Sequence, residues 1–196
     1  MTLNLKIVVT AAGLALAAGI VAVAGVGAQT LQTLKVNGPI YKEIVDGKDL
    51  IADILPPPLY LIESYALANE VFVHPDTAAV NIPRFDVLKT LYEERREYWK
   101  NSTLPDALRA KLYDEVIAKG DRYWSTLQNE VKPALSAGDA SAVTPILSRL
   151  KVEFHDHETS VNQLVTMASD YLVSRESYAA AESSSRELLV LTLGLL

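Results

Sequence analysis

A chain of 196 residues with a net charge of −6 and no basic block has the length for one well-formed core, and nothing in it matches a phosphate backbone, so nucleic acid is excluded as a partner. It contains no cysteine, which removes disulfides, thiolate metal sites, covalent haem attachment and cysteine nucleophiles from consideration.

Residues 7–28 carry no charge and nothing more polar than Thr10. At about 1.5 Å per residue such a helix spans the roughly 30 Å hydrocarbon core of a bilayer. Lys6 precedes it, which places residues 1–6 on the cytoplasmic side. The rival is a cleaved signal peptide ending at Val26-Gly27-Ala28. The apolar run exceeds the roughly 7–15 residues of a signal core, so an uncleaved anchor is expected.

Asn37-Gly38-Pro39 breaks the chain and offers Pro39 as a helix start. A helix is expected over 39–55, with Ile40, Ile44, Leu50, Ile51 and Leu55 on one side. Pro56, Pro57 and Pro58 cannot lie inside a helix, so they end it and bend this first limb before a second helix, over 58–73. His74-Pro75-Asp76 opens a loop expected to close at Pro83. Residues 84–101 then place Phe85, Leu88, Tyr92, Arg95 and Trp99 at steps of three and four, a single helical seam.

After a turn at 101–105, Pro105 is positioned to begin a helix that runs to about Leu135. Leu108, Leu112, Val116, Gly120, Trp124, Leu127 and Val131 face inward on it. Ser136-Ala137-Gly138-Asp139 stops and restarts the chain. Thr144 can cap the last helix with Pro145 as its first residue. Val143, Leu147, Leu150, Phe154, His157, Val161, Leu164, Ala168 and Tyr171 then keep an unbroken heptad rhythm. Residues 188–196 are apolar apart from Thr192 and too short to span a bilayer. They are expected to begin a second span that is cut short; an apolar tail docked on the domain is the alternative.

Long helices with short connections imply an all-α, up-down four-helix bundle. The expected organisation is a cytoplasmic segment at 1–6, a transmembrane helix at 7–28, an extracytoplasmic bundle at 29–187 and a truncated transmembrane helix at 188–196. Within it, a two-helix stalk near the membrane leads to a four-helix region.

The chemistry points away from an enzyme. There is no nucleophile–base signature, phosphate loop or zinc-protease motif. His155 and His157 point to opposite sides of a helix, so they cannot share an ion, and neither a metal nor a cofactor is expected. Arg95 and His157 fall on inward seams, where a guanidinium requires an acceptor. One reading is an internal salt bridge that fixes helix register. The other is a small anionic ligand held by Arg95, with Tyr92, Trp99, Trp124 and His157 as walls and Tyr60 and Glu63 as secondary contributors.

Val36-Asn37-Gly38-Pro39-Ile40-Tyr41, Gly47-Lys48-Asp49-Leu50-Ile51-Ala52-Asp53-Ile54-Leu55-Pro56-Pro57-Pro58 and Tyr92-Glu93-Glu94-Arg95-Arg96-Glu97-Tyr98-Trp99 together resemble the extracytoplasmic sensor region of bacterial methyl-accepting chemotaxis proteins. Related regions occur in membrane histidine kinases. The chain departs from that pattern at Leu59, where the family carries Glu, and at Arg96, where it carries His. The resemblance implies a receptor of the inner membrane with a periplasmic ligand-binding bundle, acting as a homodimer. The signalling domains that follow the second span in such receptors are expected to be absent from this chain. The alternatives are a kinase sensor, or an anchored interaction or dimerisation module without a small ligand.

Overall fold

A computed structural model describes residues 5–54 and 59–194. The three prolines Pro56, Pro57 and Pro58, with the bend expected of them, lie outside the described residues. The described residues are almost entirely helical and include no strand. The helices are α1 (Leu5–Leu34), α2 (Pro39–Ile54), α3 (Leu59–Val73), α4 (Ala78–Lys100), α5 (Asp106–Ala110), α6 (Ala118–Thr126), α7 (Lys132–Ala137) and α8 (Ala140–Gly194). Two π-helical segments, Lys111–Ile117 and Leu127–Val131, join α5 to α6 and α6 to α7. The chain divides into two compact units, Met1–Val45 with Leu172–Leu196, and Asp46–Tyr171.

In the first unit α1 has no buried residue along its apolar length, and among the described residues it is the one helix long and apolar enough to cross a membrane. Arg186 donates to Gln29 Oε1 at 3.1 Å and pairs with Glu182, while Arg175 pairs with Glu43 at 3.3 Å. Asn37 turns the chain after α1 with a positive φ of 67°, and Pro39 opens α2 as expected.

The second unit is built on two apolar clusters. In the first, Leu61, Ala68 and Val71 of α3 meet Phe85, Leu88 and Tyr92 of α4, Tyr123, Trp124, Leu127, Val131 and Leu135 from 118–137, and Val143, Leu147, Leu150 and Phe154 of α8. In the second, Leu50 and Ile54 of α2 meet Trp99, Leu104, Leu108, Leu112, Val116 and Ile117, with Val161, Leu164 and Ala168 of α8. Truncating a buried leucine in either removes transfer energy and leaves a cavity, at about 2–5 kcal/mol.

Several expected boundaries move. The loop over 74–83 is only a 3₁₀ turn at Pro75–Thr77; α4 starts at Ala78 and Pro83 lies inside it. Pro105 is the residue before α5, with extended backbone, and its carbonyl accepts from Arg109 N at 2.9 Å. The last helix begins at Ala140, not at Pro145, because Asp139 caps it: Asp139 Oδ1 accepts from the backbone of Ser141 and Ala142, each at 3.1 Å. A carboxylate accepting the first free amides is a stronger stop-and-start signal than a proline a turn later. Tyr171 is only half-buried, and Leu172 takes the end of the seam.

The π segments follow from the spacing of the buried residues. Leu108, Leu112, Val116, Gly120 and Trp124 are all buried and lie four apart. At 3.6 residues per turn each step of four drifts about 40° around an α-helix, so an ideal helix would swing Trp124 far from the face of Leu108. A wider π turn takes up more residues and brings the face back. Gly120 is buried against α4: a Cβ there would stand 2.5 Å from the Tyr92 hydroxyl oxygen.

Candidate functional site

Between the two apolar clusters of the second unit the core changes character. α8 passes from Phe154 in one cluster to Val161 in the other, and His157, fully buried, lies between them. α4 crosses the same level with Tyr92, Arg95 and Trp99, and α2 reaches it with Asp53. A small cavity of about 50 Å³ lies here, lined by Asp53, Tyr60, Arg95, Arg96 and His157 among apolar walls from Ile54, Trp99 and the first π segment.

The polar groups divide into paired and unpaired. Arg95 forms an ion pair with Asp53 Oδ2 and stacks over the Tyr98 ring at 4.3 Å. Trp99 Nε1 donates to the same carboxylate oxygen at 2.9 Å. The Tyr92 hydroxyl is directed at the Ile117 carbonyl and at Asp121 Oδ1, each at 3.2 Å, and Arg96 pairs with Asp121. Burial, with Asp121 beside it, pushes the Tyr92 phenol far above its ordinary range, so it is a neutral donor. Against these stand Arg95 Nε and both ring nitrogens of His157, which are buried without a hydrogen-bond partner in the protein. Burial, with some help from Lys119, lowers the His157 pKa to about 4, so the ring is a neutral imidazole at ordinary pH.

Five of the seven residues expected from sequence therefore meet at one place: Arg95, Tyr92, Trp99, His157 and Tyr60. Trp124 does not join them; it is buried behind Tyr92, ring centroids 5.9 Å apart, in the aromatic cluster. Glu63 is at the surface in an ion pair with Arg84, because α3 turns it away from the core. Of the two expected fates of Arg95, the internal salt bridge is present, with Asp53, and Arg95 also lines the cavity. Sequence reading missed Asp53 as that carboxylate. The signal was available: Asp53 lies three residues after Leu50 and one before Ile54, both of which are buried. His155, two residues from His157, is exposed and pairs with Glu158 at 3.0 Å.

The described residues form an all-helical protein whose second unit carries a small, mostly apolar cavity with a few polar side chains on its wall. No protein-family model matches the chain, and no curated protein or solved structure matches it.

Proposed function

We propose that the chain is the sensor portion of a bacterial membrane receptor of the chemotaxis type, with residues 29–187 as an extracytoplasmic ligand-binding domain between membrane helices at 7–28 and from 188 onward. In this reading Asp46–Tyr171 is an up-down four-helix bundle, for which the shared core of α3, α4, the 106–137 run and α8 is the support. The observation that carries ligand binding is His157, an imidazole buried on a cavity wall with neither nitrogen satisfied. Buried polar groups are nearly always paired, and an unpaired one facing a cavity is costly unless a ligand or solvent completes it. The signal is a displacement of α8, which holds His157 and continues to Gly194. A calorimetric screen of small metabolites against the full chain in detergent tests this. At least one binder is expected, with affinity reduced at least tenfold by Arg95→Ala; a binder indifferent to that change moves the site elsewhere, and no binder in any class removes the function.

A second reading, an anchored dimerisation module, is favoured by α4. Val80, Val87, Leu91 and Tyr98 are exposed at steps of seven, four and seven, a coiled-coil spacing interrupted by Arg84 and Glu94. Mass measurement by light scattering on the full chain in detergent gives a dimer in this case, and Leu91→Glu returns it to monomer without affecting ligand binding.

A further inference from the structure

We propose that the cavity between the two apolar clusters takes an uncharged molecule of about three to five non-hydrogen atoms carrying one carbonyl or hydroxyl group, an inference that rests on the ligand-binding reading above. Size comes first. The cavity holds about 50 Å³ and is half open to solvent, room for a few heavy atoms and not for a whole sugar or amino acid.

Charge comes second. Both arginines on the wall already have carboxylate partners, Arg95 in Asp53 and Arg96 in Asp121. An entering anion meets the Asp53 carboxylate and finds no cation to spare, while an entering cation meets Arg95. Neither charge has compensation for its lost hydration in so small a site. The fully buried side-chain groups on the wall that lack a protein partner are the Arg95 Nε–H, which can only donate, and the His157 ring. A neutral imidazole has one N–H and one bare nitrogen, and its tautomer adapts to whichever role the ligand needs. A carbonyl or hydroxyl oxygen accepts from Arg95 Nε, and an amide N–H or hydroxyl proton can serve His157. The hydrocarbon remainder has its place against Ile54, Leu112, Val116 and Ile117.

The anion expected from an unpaired Arg95 thus gives way to a neutral ligand once Asp53 is in place. The same geometry makes the preference adjustable: neutralising Asp53 frees Arg95 and turns the cavity toward anions.

Acetamide and acetate share a heavy-atom skeleton and differ in charge, so they are the probes. Both are titrated calorimetrically at pH 7 into the full chain in detergent, into His157→Leu and into Asp53→Asn. Acetamide is expected to bind saturably in the sub-millimolar to millimolar range, at about the ceiling for so few atoms. Acetate is expected to bind at least tenfold more weakly, His157→Leu to weaken acetamide at least tenfold, and Asp53→Asn to narrow or invert the preference. Acetate binding as tightly as acetamide in the wild-type chain overturns the inference but leaves the cavity as a ligand site. No binding of either probe at about 0.1 M also overturns it; the ligand-binding reading then survives only if the metabolite screen has found a larger binder that His157→Leu abolishes. Should His157→Leu not fold, Val116→Phe, which fills the cavity from the first π segment, replaces it with the same expected loss.

Discussion

Two junctions in the second unit bury polar groups among apolar ones, and they are built in opposite ways. At the first, Tyr123 and Ser64 are both fully buried; their hydroxyls lie 2.9 Å apart, Ser64 Oγ donates to the Leu61 carbonyl at 3.0 Å, and Tyr123 Oη lies 3.2 Å from the same carbonyl. Both hydroxyls have partners, and the arrangement ties α6 to α3 at one register. At the second, Asp53, Arg95 and Trp99 satisfy one another, but His157 and Arg95 Nε are left over beside a cavity. A closed polar junction is explained by stability alone. An open one gives up stability, and the difference is what separates a register device from a candidate site.

The largest expected effect breaks the open junction with acid. The folded chain holds the His157 pKa near 4, against an ordinary value of 6.5. Between those values the unfolded chain binds more protons than the folded one, so stability rises with pH. This contribution is fully present above about pH 6.5 and is lost progressively as pH falls toward 4, to a limit of about 3 kcal/mol. His157→Gln should flatten that part of the profile of thermal midpoint against pH; Tyr123 and Ser64, with no group titrating there, give no such dependence.

Next in size is Gly120→Ala. The added methyl lies 2.5 Å from the Tyr92 hydroxyl oxygen, and displacing that ring should cost about 1–3 kcal/mol by denaturant titration. Tyr92→Phe in the same chain removes the closest contact and leaves ring carbons at 3.1 and 3.2 Å, so the two changes together should cost less than their sum.

A smaller loss of about 1 kcal/mol is expected for Tyr123→Phe, which strips one hydroxyl from the closed junction, with ligand binding unaltered. The smallest effect has the opposite sign. His157→Leu removes an unsatisfied ring from an apolar setting and should leave the unliganded chain as stable as before, or more stable by up to about 1 kcal/mol, while losing the ligand. A loss of several kcal/mol on His157→Leu would place the imidazole with Tyr123 as a structural group.

The sequence made the apolar faces readable because helical spacing records them directly. All seven residues assigned inward between Leu108 and Val131 are buried, as are all but Tyr171 of those between Val143 and Tyr171. The same spacing carried His157 to the right place without saying whether it would find a partner. Asp53 was harder, since an acidic residue between apolar ones reads as solvent-facing until its arginine is known, and that arginine is 42 residues away. The π segments were legible in the run of four-residue steps, yet steps of four also fit an α-helix over any two turns. Helix starts at Ala78 and Ala140 were obscured by Pro83 and Pro145, which lie in the second turn of α4 and α8 and each remove one helical hydrogen bond there, although proline usually marks a boundary.

The most direct test of the central claim is the ¹⁵N spectrum of the His157 ring, recorded on the full chain in detergent at pH 7 with and without a saturating ligand. A neutral ring is predicted in both states, with one nitrogen moving to a hydrogen-bonded shift when the ligand enters and no such change in His155. An unmoved His157 ring under a ligand that demonstrably binds the chain would contradict the assignment of the cavity as the site.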